Sequence, residues 1–221
     1  MRQEYNTELF FPVKCFKFQA PEDLRAETLE KVKALQFKSY NDPAGVGTTT
    51  DIHANDDFRS IFAWFQQCVD TLHIDSGWNC DRLVVNKGWA NRADKYTGHH
   101  HDAHRHPMSY VSGIFYLTEG PPTVFLDPLF QREWSSFYLD GFPLEESRKF
   151  YHAGSGGLII FPSWLIHASV GNNSDIDRYT IAFNTFPQGD INSGGWNHPM
   201  ARVQVEGWDS LGPLNLSDYA G

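Results

Sequence analysis

The sequence predicts a mainly β domain with flanking helices (α+β), an antiparallel sandwich or barrel with N-terminal helices packed on one sheet. Three observations carry this. Apolar residues at helical spacing are confined to residues 1–80. Short segments rich in β-branched and aromatic residues fill 81–186, and Gly, Pro, Asn and Asp separate them. Helices first and strands later give a sheet covered by helices on one face.

The first element is an extended piece at Leu9-Phe10-Phe11-Pro12-Val13. Pro21-Glu22-Asp23 then reads as a helix start, with acidic groups at the positive end of the helix dipole. Leu29, Val32 and Leu35 give that helix a modest apolar stripe. A second helix is clearer: Phe58, Ile61, Phe62, Phe65, Cys68, Val69 and Leu72 recur at i, i+3, i+4, i+7, with Asp56 or Asp57 as the cap and Ser76-Gly77 as the stop. So aromatic a stripe must be buried against a sheet. Strands are predicted at Leu83-Val84-Val85, Ser109–Thr118, Thr123–Leu126, Gly157–Phe161, Leu165–Val170 and Arg178–Thr185. Residues 127–156 form a longer insertion containing Trp134, Phe137 and Tyr138, read as a lid or interface. Residues 187–221, rich in Gly, Asn and Pro, read as an irregular C-terminal tail. With no repeat or low-complexity linker, 1–221 is expected to be a single domain.

Composition narrows the function classes. Hydrophobic residues make up 41% and charged ones 20%, as in a folded globular chain. No apolar run approaches the ~20 residues of a membrane span, and no secretory signal is read at the N-terminus. Cys15, Cys68 and Cys80 are odd in number and far apart, which reads as buried free thiols in a reducing compartment, hence a cytoplasmic protein. The net charge of −9 repels nucleic-acid phosphates and anionic membranes. Neither is an expected partner. Oligomeric state is left open, a homodimer included.

The chemistry concentrates at Gly98-His99-His100-His101-Asp102-Ala103-His104-Arg105-His106. Five of the ten histidines fall within eight residues, where chance would place about 0.4. Neutral imidazole is a common ligand of transition metals, and residues i and i+2 of an extended chain point to one side. His104 and His106 therefore converge if this segment is extended. In the strand beginning at Arg178, Tyr179, Ile181 and Phe183 form an apolar face, while Arg178, Thr180, Ala182 and Asn184 form a small polar one. If helices cover the apolar face, Arg178 points into the interior, where a guanidinium needs an anion. His167 and Ser169 likewise share a face that opens onto the same pocket.

These segments resemble the 2-oxoglutarate- and Fe(II)-dependent oxygenases, in particular a subfamily of unassigned substrate common in marine bacteria and phages. The resemblance rests on Leu9-Phe10-Phe11-Pro12, the run His104 to Leu117, Gly157 to His167, and Arg178 to Asn184, in that order. It implies a double-stranded β-helix (a cupin-like jelly roll) with 81–186 as its core. It also implies an Fe(II) site, 2-oxoglutarate as co-substrate, and dioxygen-driven hydroxylation of a small molecule or peptide. By the same resemblance His167 is the distal metal ligand and Arg178 pairs with the far carboxylate of 2-oxoglutarate, with Thr180 and Tyr116 as further hydroxyl donors. The first metal pair is His104 and His106 by alignment on Ser112-Gly113 and Tyr116-Leu117. The superfamily's His-x-Asp pattern also fits His100 and Asp102, and a mixed set would join Asp102 to His104.

Plainer readings stand beside these. His99, His100 and His101 suit a surface tract, Arg178 an ion pair with Asp175 or Asp177, and Tyr116 the core. Trp89, Trp134 and Trp164 suit packing, and His53, His73, His152 and His198 have no partner pattern. Arg92, Lys95 and Tyr96 are placed at the substrate entrance by position alone. Two other functions compete with the hydroxylase. One is a cupin-type three-histidine dioxygenase without 2-oxoglutarate. The other is a non-enzymatic jelly roll that binds a metal or ligand.

Overall fold

A computed structural model describes residues 12–39, 45–49, 51–128, 148–193 and 201–205. Leu9 to Phe11, Trp134, Phe137, Tyr138 and His198 lie outside the described residues. The elements in order are β1 (Phe16–Gln19), α1 (Glu22–Lys33), β2 (Lys38–Ser39), β3 (Gly47–Thr48), α2 (Arg59–Ser76), β4 (Arg82–Ala93), β5 (Val111–Tyr116) and β6 (Thr123–Leu126). Then come β7 (Arg148–Tyr151), β8 (Gly157–Pro162), β9 (His167–Ser169), β10 (Arg178–Ile191) and β11 (Ala201–Val203).

Two antiparallel sheets face each other. The larger has eight strands, ordered β1-β8-β5-β10-β4-β3-β2 with β11 on β10, and the smaller is β7-β6-β9. This is the jelly roll that the resemblance implies, and period-2 alternation along β5 and β10 decides what each face meets. Phe115, Tyr179, Ile181 and Phe183 point outward into a core shared with Phe58, Ile61, Phe62, Phe65, Val69 and Leu72 of the α2 region. Ile114 and Tyr116 point inward, to a second cluster with Phe125, Ile159, Phe161 and Leu165 between the sheets. Phe65 stacks on Phe183 at 4.8 Å and meets Phe115 edge-on at 5.4 Å. The helix is also tied by polar bonds: Gln66 donates to Leu83 O at 2.8 Å and accepts from Val85 N at 2.9 Å, while Arg82 pairs with buried Asp70.

Such close packing of rings leaves no room for side chains beneath them. A Cβ at Gly113 would lie 2.3 Å from the Phe183 ring, and one at Gly88 would lie 2.3 Å from that of Phe62. Gly113→Ala is therefore expected to destabilise the fold by about 1–3 kcal/mol through overpacking. Chemical denaturation should show a lower midpoint with little change in slope, and an unchanged midpoint would refute the packing argument.

Several expectations are corrected. Residues 1–80 supply β1, β2 and β3 to the large sheet as well as the helices, because Phe16 and Phe18 pack on the same core while Lys17 and Gln19 face out. The tail is not irregular throughout: β10 continues to Ile191 and pairs with β11. There the ladder hydrogen bonds outweigh the turn-forming composition. The 127–156 insertion gives β7 to the small sheet. The α2 region is capped by Asn55, which accepts from Asp57 N at 3.0 Å, because a 3-10 turn over Asp56–Phe58 precedes the helix. Trp164 is 51% exposed rather than packed, and Cys15 is exposed rather than buried.

Candidate metal centre

The histidine segment is extended, as its spacing requires. His104 and His167 exchange backbone hydrogen bonds at 2.9 and 3.0 Å, and His106 N donates to Ser163 O at 3.0 Å. Residues 101–106 thus run antiparallel to the chain through β9, as an added edge of the small sheet. That pairing aims His104 and His106 to one side and sets His167 against them. Ring centroids lie 4.4 Å apart for His104–His167, 5.0 Å for His106–His167 and 5.4 Å for His104–His106. One ring nitrogen from each residue lies within 4.8 Å of the others.

The other ring nitrogens fix the tautomers. Nδ1 of His104 sits 2.7 Å from Asp102 O, and Nδ1 of His167 sits 3.1 Å from Leu165 O. A carbonyl only accepts, so both Nδ1 atoms carry the proton and both Nε2 lone pairs are free. His106 Nδ1 meets Asn184 Oδ1 at 2.7 Å, and Ser112 Oγ donates to the same oxygen at 3.0 Å. All three imidazoles are therefore oriented as metal ligands are, with the outer nitrogen held and the inner one available. Burial holds two of them neutral: it pushes the pKa of His106 down to about 4 and that of His167 to about 3, with His104 adding repulsion in each case. Three imidazole donors that converge in this way fit a transition-metal ion.

The alternative ligands are placed elsewhere. Asp102 has a side chain 78% exposed and turns to His100 Nε2 at 3.4 Å. Asp102 and His100 are not part of the cluster. His99 lies beside Asp94, and His101 packs against the His104 ring at 5.8 Å.

A cleft of about 240 Å³ opens on the three imidazoles and runs inward to Arg178. Register explains this. Arg178, Thr180 and Ala182 of β10 pair with Ala93, Asn91 and Trp89 of β4, and cross-strand partners share a face. Arg178 is 5% exposed, yet no carboxylate pairs with it among the described residues. Asp177, one of the two candidates, turns instead to Arg92 at 3.3 Å and accepts from Lys95 N. The guanidinium lies 5.4 Å from the Tyr116 ring centroid and donates to Thr123 Oγ1 at 3.4 Å, while its buried Nε has no partner. Tyr116 Oη and Thr123 Oγ1 are 2.6 Å apart, and burial pushes the phenol's pKa up to about 12, so it stays protonated. Thr180 is buried on the cleft wall.

Sequence reasoning missed Thr123 and the role of Asn184. Asn184 was visible as one of the polar positions alternating with Arg178. Thr123 comes from the opposite sheet, and no local pattern links it to Arg178.

Comparison with known proteins agrees with this geometry. Residues 87–184 match the model of a family described as "Putative 2OG-Fe(II) oxygenase". No curated protein matches the chain. Among solved structures, the non-heme alpha-ketoglutarate-dependent epimerase SnoN from nogalamycin biosynthesis matches at 11% identity and TM-score 0.63, over 88% of this chain and 92% of that one. HygX from Streptomyces hygroscopicus matches at 14% and 0.55, over 87% and 92%. A Pseudomonas putida prolyl-4-hydroxylase matches at 14% and 0.56, over 80% and 94%. At such identities the structures share the fold, a double-stranded β-helix. The stretch matched by that family model spans all three histidines and Arg178. No described helix is long and apolar enough to cross a membrane.

Proposed function

We propose that the chain is a hydroxylase in which His104, His106 and His167 hold Fe(II) through Nε2 and Arg178 seats the distal carboxylate of 2-oxoglutarate. One observation carries this reading: a buried guanidinium with an unused N–H and no acid beside it among the described residues, at the inner end of a cleft whose other end is the three imidazoles. A planar fork of this kind matches a carboxylate with two parallel hydrogen bonds. The HygX and SnoN structures, described as holding 2-oxoglutarate with nickel and alpha ketoglutarate with Fe3+, support the same pairing of metal and co-substrate.

Each residue has a definable task. Thr123 and Tyr116 form a hydroxyl pair that steadies Arg178, and Tyr116 remains a neutral donor at physiological pH. Thr180 adds a hydroxyl on the same wall. Asn184 keeps the proton of His106 on Nδ1. The apolar wall of Ile114 and Ala182 keeps water from the path between co-substrate and ligands. Bound iron supplies the redox chemistry, activating dioxygen as 2-oxoglutarate is oxidatively decarboxylated. A ligand set without a carboxylate leaves a divalent ion its full charge, which strengthens the pull on an anionic co-substrate. The reading takes 1–221 as one domain acting in the cytoplasm on a small molecule or peptide.

The test is anaerobic reconstitution. Fe(II) and 2-oxoglutarate should each bind at one equivalent, and admission of oxygen should convert 2-oxoglutarate slowly to succinate even without a second substrate. Iron bound at the histidines with no affinity for 2-oxoglutarate would favour the three-histidine dioxygenase instead.

A further inference from the structure

Two of the three imidazoles have a second side. His104 and His106, together with Trp89 and Thr48, line both the cleft leading to Arg178 and a separate open lobe of about 420 Å³. His167 and Arg178 belong only to the first, while Lys87, Arg105 and Asn184 belong only to the second. The β4–β10 ladder shows why. Its site-facing rungs are Arg178–Ala93, Thr180–Asn91, Ala182–Trp89 and Asn184–Lys87, after which the register shifts at Asn184/Thr185. Lys87 therefore ends the row that Arg178 begins, six residues or about 20 Å away along the strand. The histidines stand between: His106 bonds Asn184 and packs on Trp89 at 5.5 Å.

Among the described residues, no Asp or Glu lines the outer lobe. Lys87 and Arg105 have no acidic partner among the described residues, in a chain whose net charge is −9. Several other cations are matched, as with Arg92 to Asp94 and Asp177, Arg82 to Asp70 and Arg202 to Asp190. Two unmatched cations on one rim, beside an indole wall that reaches a metal ligand, describe a receptor.

We propose that the primary substrate is a small anionic molecule. Its carboxylate or phosphate pairs with Lys87 and Arg105, and its apolar or planar part lies along Trp89 and carries the reacting C–H bond to the histidines. This rests on the assignment of the Arg178 end to 2-oxoglutarate, since that end must be filled for the outer lobe to select a second anion.

The experiment uses Zn(II)-loaded, redox-silent protein saturated with 2-oxoglutarate, titrated calorimetrically with 4-phenylbutyrate, phenyl phosphate and the uncharged 4-phenylbutyramide. At least one anion should bind about tenfold more tightly than the amide, and added salt should erode the difference. The ranking of carboxylate against phosphate identifies the headgroup. Lys87→Met with Arg105→Met should lose about tenfold in anion affinity while binding 2-oxoglutarate as before, and Lys87→Arg alone should keep it. Equal binding of anion and amide, no binding of any probe, or an unaffected double variant would overturn the inference. Wild-type protein that fails to bind 2-oxoglutarate would overturn the underlying assignment, a separate and recognisable outcome.

Discussion

Arg178→Met is expected to weaken 2-oxoglutarate binding by about 30- to 1,000-fold, or roughly 2–4 kcal/mol, with metal stoichiometry unchanged. Methionine fills similar space without a charge, so the loss measures the carboxylate partner and not a cavity. Arg178→Lys should recover only part of the affinity, because an ammonium lacks the planar fork. The substitution should also raise the thermal midpoint of the protein free of 2-oxoglutarate. In that state the guanidinium is buried beside Thr123 and the Tyr116 ring with Nε unpartnered, an arrangement that costs stability until an anion arrives. Lower affinity and higher stability in one variant would mark a site built for function at the expense of the fold. An Arg178→Met protein that binds 2-oxoglutarate as the wild type does would rule out the clamp.

The parts of this site legible in the sequence are those set by local periodicity. Alternation in β10 separated Tyr179, Ile181 and Phe183 from Arg178 and Thr180, and the structure divides them the same way between outer core and inner cleft. The helical stripe from Phe58 to Leu72 was equally plain, because i, i+3, i+4 spacing with so many aromatics has one use. Extended geometry at 104–106 followed from the same rule. What local pattern does not carry is pairing across the fold. Nothing near Thr123 announces that β6 brings it under Arg178, and nothing near Leu83 announces that Gln66 will bond both Leu83 and Val85. The choice between Asp102 and His106 was open for a similar reason. Both flank His104 at two residues, and backbone pairing with Ser163 and His167, remote in sequence, turns His106 inward and leaves Asp102 in solvent. The tail misled because Gly and Pro in 187–191 signal turns, whereas Gln188 and Pro187 are held opposite Arg82 and Leu83 by a strand already established upstream.

His167→Ala should have two effects of opposite sign. It removes one of three converging nitrogens, so stoichiometric Fe(II) binding and 2-oxoglutarate turnover should both be lost, the rate falling by about three orders of magnitude or more. In metal-free protein the same change should relieve acid sensitivity. Burial, with repulsion from His104, holds the folded-state pKa of His167 near about 3, whereas an unfolded histidine titrates near 6.5. Between those values the unfolded chain binds the extra proton, so stability is full above about pH 6.5 and falls as the pH drops toward the folded value. At pH 5 the loss relative to pH 7 is about 2 kcal/mol for such a group. His106, held near about 4 mainly by burial, adds a similar loss over the same range. Metal-free wild type should therefore lose about 4 kcal/mol between pH 7 and pH 5, and His167→Ala about half that. Denaturation curves at the two pH values measure both numbers. Bound metal should not lessen the dependence in wild type above the pH at which protons displace it, because ligated imidazoles are held deprotonated in the folded state while the unfolded chain still takes up protons. If metal-free wild type and His167→Ala show the same pH slope, the imidazole is not held neutral by burial. Its lone pair is then not kept free for an ion by electrostatics.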